Sequence, residues 1–173
     1  MKAALPLAAL LLLAVGACDK PKPRPAAAAA SVAAEAGAPI LSPPASIGLV
    51  RRPEMAVFSL DMINAAADPL NNPATIKAGG PTTFSGFGFD PVAKTAPKAI
   101  DIVIDDVPYG TSCCHERQDV SGFYETDAVL MSGFRVSLPA GVVKKGAHKV
   151  VVRVVSADGR SSFDSAILGF KAE

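Results

Sequence analysis

Residues 99–106 read AIDIVIDD, and this stretch decides the fold class. Ile100, Ile102 and Ile104 alternate with Asp101, Val103 and Asp105, so the apolar period is two, the spacing of a half-buried β-strand rather than a helix. On that pattern the isoleucines face a core and the acids Asp101 and Asp105 face water. Working outward, Phe134, Val136 and Leu138 repeat the period in Gly133–Leu138, and Val150, Val152 and Val154 do so in the run from His148 to Val155. Ala166, Leu168 and Phe170 repeat it again near the end of the chain. Further strands are expected around Met55–Met62, Thr82–Phe89 and Ala128–Met131. Gly79-Gly80-Pro81, Asp90-Pro91, Pro108 to Gly110, Pro139-Ala140-Gly141 and Asp158-Gly159 punctuate the runs as turns. Asp158-Gly159 also supplies the positive φ of a hairpin connection. A single helical turn is expected at Met62–Ala67, ended by Pro69. Short strands at this spacing predict an all-β fold, an immunoglobulin-like antiparallel β-sandwich spanning residues 49–173.

The rest of the chain reads differently. Residues 1–18 are MKAALPLAALLLLAVGAC. Lys2 gives a positive start, Ala3–Val15 an apolar run broken by Pro6, and Gly16-Ala17 a small-residue end. A run of about 13 residues falls short of the roughly 20 needed to span a hydrocarbon core, and its anatomy is that of a secretory signal. Val15-Gly16-Ala17-Cys18 resembles the lipobox of bacterial lipoproteins, in which the cysteine is acylated. The resemblance implies a signal peptide at 1–17, lipidation of Cys18 and membrane attachment through the lipid. It places the domain at the cell envelope, facing the periplasm or the exterior. Asp19 and Lys20 leave the choice of inner or outer membrane open. Residues 18–48 follow as a lipidated cysteine and a disordered Ala/Pro linker. Its thirty positions after Cys18 hold 10 alanines and 6 prolines, and Lys-Pro-Lys-Pro-Arg-Pro favours extended polyproline II.

Within the domain, Phe84-Ser-Gly-Phe-Gly-Phe-Asp90, Ile104-Asp-Asp106, Arg117-Gln-Asp-Val120, Gly133-Phe134 and Gly146-Ala-His148 come in a suggestive order. That order resembles bacterial sandwich modules appended to cell-envelope and glycan-handling proteins, over residues 75–171. Phe87 stands where such modules often carry the tryptophan of a Gly-Trp-Ala-x-Asp motif, and the adjacent cysteines are a departure. The resemblance implies a β-sandwich in an envelope setting and no reaction.

Composition excludes several function classes. The net charge of +1 over 173 residues provides no basic stripe for nucleic acid. Gly86-Phe-Gly88 lacks the remaining glycines and acid of a dinucleotide loop, there is no Gly-x-Ser-x-Gly, and only two histidines exist to serve as bases. No cofactor is implied. With no tryptophan and only Tyr109 and Tyr124, aromatic platforms for sugars are few. The most unusual stretch is Cys113-Cys114-His115-Glu116. In an oxidising compartment the two thiols can close a vicinal disulfide, stay free, or join other chains. With His115 they can also hold copper(I) or zinc. Asp101, Asp105, Asp106, Glu116, Asp119, Glu125 and Asp127 offer oxygens for calcium but match no EF-hand spacing. Arg117 and Asp119 are placed to pair, and His148 to pack or cap a strand. The leading expectation is a non-enzymatic, lipid-anchored interaction module whose partner is an envelope protein or glycan. Its candidate binding residues are Tyr109, Arg117 and Tyr124. The alternative is a thiol-redox or metal-handling lipoprotein using Cys113, Cys114 and His115.

Overall fold

A computed structural model describes residues 41–173; the expected signal peptide, Cys18 and most of the linker lie outside the described residues. The described residues form twelve strands: β1 Val50–Arg52, β2 Val57–Ile63, β3 Ala66–Ala67, β4 Thr75–Ile76, β5 Thr82–Phe89 and β6 Ala99–Ile104 are the first six. β7 Val107–Gly110 and β8 Ser112–His115 follow, then a helix α1 at Gln118–Tyr124 and a 3₁₀ turn at Asp127–Val129. β9 Gly133–Leu138, β10 Gly146–Val155, β11 Ser161–Asp164 and β12 Leu168–Ala172 complete the fold. They make an all-β sandwich. One sheet runs β3-β2-β5-β9-β8, all antiparallel. In the other, β10 pairs with β6 along one edge, and β7 lies beyond β6. The opposite edge of β10 is shared by β11 and β12, which carry β1 and β4 in parallel beside them. Among the described residues no helix is long and apolar enough to cross a membrane.

The period-two residues meet as their spacing requires. Ile100, Ile102 and Ile104 lie opposite Val154, Val152 and Val150, and all six are buried. Across the core, Phe84, Phe134, Val136 and Leu138 face them from the second sheet, and Phe84 meets Phe170 edge to face at 5.7 Å. Gly88 lies on this inner side, where a Cβ would come within 2.8 Å of Val154. The missing side chain therefore lets the two sheets close.

Five expectations are corrected. First, Met62–Ala67 is a hairpin, not a helical turn. Ile63 pairs with Ala66 across a two-residue connection in which Asn64 takes φ 53°, a conformation asparagine tolerates. Second, Ala128–Met131 is not a strand. Thr126 caps the 3₁₀ turn that occupies its start by accepting from the Ala128 N–H at 3.2 Å. Third, Pro108–Gly110 belongs to a strand. The turn lies earlier, at Asp105-Asp106, whose φ values of 47° and 70° are those of a two-residue hairpin loop. Fourth, Asp101 does not face water. It is fully buried on the outer side of β6, where its carboxylate accepts from the Ala45 N–H, the Ser46 N–H and the Ser46 hydroxyl at 3.1, 2.8 and 2.6 Å. Fifth, the folded unit therefore begins before residue 49. Residues 42–48, assigned to the linker, strap the outside of the sheet, with Ser42 bridging to Gly110. A Cβ on Gly110 would overlap the Ser42 and Pro43 carbonyls, so glycine is needed for the strap to lie this close.

Candidate functional site

The feature that stands out from the sandwich is the long hairpin connection between β8 and β9, which lays α1 and the 3₁₀ turn over the outer face of β5. Strand alternation sends Phe87 and Phe89 to that outer face, away from the main core. A second apolar cluster forms there, in which Val120 and Val129 cover Phe89, with Val57 and Phe87 at its margin. Its position explains why a seven-residue helix is stable: the helix is held by this burial and not by length.

Arg117 is the centre of the arrangement. Its backbone N–H donates to the Leu130 carbonyl at 2.8 Å, which ties the start of α1 to the end of the 3₁₀ turn. Its guanidinium donates through Nε and Nη2 to the two Asp119 oxygens at 2.8 and 2.7 Å, and through Nη1 to Asp61 at 2.8 Å. The same group lies 5.3 Å from the centroid of Phe87. Hydrogen bonding to Arg117 holds the Asp119 carboxyl down at about 2, so it is ionised throughout the physiological range. Ser59 also donates to Asp61, at 2.6 Å.

The C-terminal end of α1 carries two rings in succession. Tyr124 meets Phe89 edge to face at 4.9 Å, and Phe123 meets Tyr124 likewise at 5.0 Å. Phe123 is 80% exposed and Tyr124 39%. Together with Phe87, Asp119 and Val120 they line a pocket of about 300 Å³. A wider depression of about 600 Å³ lies by β4 and β12, where Leu70 and Ile167 stand exposed.

Of the residues singled out for partner binding, the structure brings Arg117 and Tyr124 to this one surface and leaves Tyr109 elsewhere. Tyr109 pairs with Ile102 across β6–β7, on the core side, and packs against the main core. Cys113 and Cys114 form a disulfide with each other across a cis peptide bond in β8. Cys113 packs against the core opposite Phe134. His115 is exposed, and its Nε2 lies 3.1 Å from the Ser112 hydroxyl. Among the described residues no group of three His, Cys, Asp or Glu side chains is placed to hold a metal ion. Several of the acids considered for calcium are engaged by protein groups: Asp101 by Ser46, Asp105 by His148, Asp119 by Arg117 and Asp127 by Ser121. His148 packs as expected, stacked on Phe170 at 5.1 Å with both ring nitrogens bonded.

Sequence reasoning missed Phe123, Phe87 and Asp61. Only the count along the strand separates inner Phe84 from outer Phe87 and Phe89. Phe123 had a signal, since Phe123-Tyr124 falls in a polar stretch with no apolar period to bury it. No known protein family, curated protein or solved structure matches this chain.

Proposed function

We propose that this protein is a non-enzymatic, lipid-anchored interaction module of the bacterial cell envelope, whose partner, a protein or glycan, docks on the α1 face. The observation that carries the reading is Phe123, a large ring 80% exposed beside a half-exposed Tyr124 on a short, well-braced helix. Rigid loops and helices mounted on a scaffold are the usual place for recognition, and clustered exposed aromatic rings are typical interface anchors. Arg117 contributes by fixing the helix, because each of its guanidinium nitrogens is already committed to a carboxylate. The lipobox-like Val15-Gly16-Ala17-Cys18 supports the anchor, with the domain facing the periplasm or exterior. The sandwich is of immunoglobulin type on this reading. In support, β2-β5-β9-β8 follow the A-B-E-D order of one sheet, and β6-β10-β12 the C-F-G order of the other. The metal-handling form of the alternative requires Cys113 and Cys114 as thiolates, whereas here their sulfurs are bonded to each other, which is the oxidised state of a thiol-redox pair.

The test places a photo-crosslinking residue at position 123 of the full chain in intact cells, with position 167, where Ile167 is 65% exposed, as an apolar control. Discrete crosslinked products are expected from 123 and not from 167, and Tyr124→Ala is expected to reduce them severalfold. Products from 167 alone, or from neither position, would overturn the assignment of the binding face.

A further inference from the structure

The pocket beside α1 has a chemical bias that narrows its ligand. It is lined by Phe87, Asp119, Val120, Phe123 and Tyr124, with both Asp119 oxygens also paired to Arg117. The nearest strong donor is Arg117, and its Nε, Nη1 and Nη2 already donate to Asp119 and Asp61. The site thus offers π-faces and a carboxylate residue, with the Tyr124 hydroxyl and the two remaining Nη hydrogens of Arg117 as its nearby donors. The charges agree: one guanidinium is set against two carboxylates, a net charge of minus one. The surrounding stretch 116–127 adds Glu116, Glu125 and Asp127 and no further base. A cation on an apolar stem meets every wall: aromatic faces and a carboxylate attract its charge, and Val120 and the rings cover its methylenes. The volume of about 300 Å³ is at the small end for ligand clefts, enough for one side chain of a larger body that stays outside.

Building on the proposed α1 docking face, we infer that this pocket binds the alkylammonium side chain of a lysine presented by a partner protein. The partner surface is accordingly basic, and Phe123 at the rim packs along the lysine stem.

The test is an NMR titration of the full chain with N-acetyl-lysine amide, its uncharged norleucine counterpart and N-acetylglucosamine. The lysine probe is expected to shift the amides of Val120–Glu125 saturably in the millimolar range. Norleucine is expected to bind about tenfold more weakly, as are Phe123→Ala and Asp119→Asn toward lysine. Unfolding midpoints of both variants are measured alongside, so that loss of fold is separated from loss of binding. Norleucine or N-acetylglucosamine shifting these amides as well as lysine would overturn the cation assignment. So would the absence of any shift at α1 at tens of millimolar. If crosslinks from position 123 persist when lysine fails, the docking face stands and the lysine assignment falls. If lysine binds without crosslinks, the pocket stands and the envelope-partner reading falls.

Discussion

At the scale of single residues, Asp101 decides where the domain begins. An aspartate in mid-strand is a poor strand former and is seldom fully buried unless paired. It is kept here by two backbone N–H groups and a hydroxyl donated from Ala45 and Ser46. Replacing it with alanine strips the partners from those donors and leaves them buried. Asp101→Ala is therefore expected to cost about 2–4 kcal/mol in urea unfolding. It is also expected to open a proteolytic site within residues 42–48. A variant as stable and as protease-resistant as the parent would show that the strap is not held by this carboxylate. The period of β6 was legible in the sequence, and Ile100, Ile102 and Ile104 point where it says. The environment of its other face was not legible, because what covers Asp101 is a segment more than fifty positions away whose composition reads as linker. Tyr109 escaped for a related reason. Its side is set by the register against Ile102, and the register is set by a turn at Asp105-Asp106 that local turn signals placed three residues late.

At the scale of elements, the link between the β6–β7 turn and β10 is sensitive to pH. His148 donates from Nδ1 to Asp105 at 2.6 Å and from Nε2 to the Lys144 carbonyl at 2.8 Å. Both partners only accept, so the doubly protonated imidazolium alone satisfies both bonds. Burial works against that charge, but the Asp105 bond and the Lys144 carbonyl outweigh it, and the His148 pKa is raised. Asp105 moves the other way. Partial burial opposes its charge, but the Lys149 N–H and His148 more than compensate and its pKa is lowered. A raised histidine stabilises fully below its unfolded pKa of about 6.5 and loses that contribution as pH rises through the folded value. The parent is thus expected to be more stable than Asp105→Asn by about 1 kcal/mol near pH 6, a gap that narrows by pH 9. Asparagine tolerates the positive φ of 47° at this position, so the backbone is unchanged by the swap. Thermal unfolding of both proteins across that range checks it, and a gap independent of pH would remove His148 from the account. α1 sits at the opposite extreme of legibility. Seven residues carry less than two turns, too few to show a 3.6-residue period, and Gly122 and Val120 are weak helix formers. The helix exists because Phe87 and Phe89 need a cover on the outer face, a requirement visible only once the strand is assigned to its sheet.

At the scale of the whole molecule, period-two patterning and turn residues were enough to define a two-sheet sandwich, since each strand must bury one face against the other sheet. The insertion that gives the sandwich its character was beyond that reasoning. The β8–β9 connection places an ion-paired arginine and two outward rings over the outer face of β5. A module that binds through α1 must protect α1 when its partner arrives. Amide exchange of the full chain, measured with and without solubilised envelope fraction, tests this most directly. Protection is expected to rise severalfold at residues 118–125 and to stay unchanged around residues 166–171. Protection gained near Ile167 instead, or none anywhere while the partner is demonstrably bound, would contradict the assignment of α1 as the binding face.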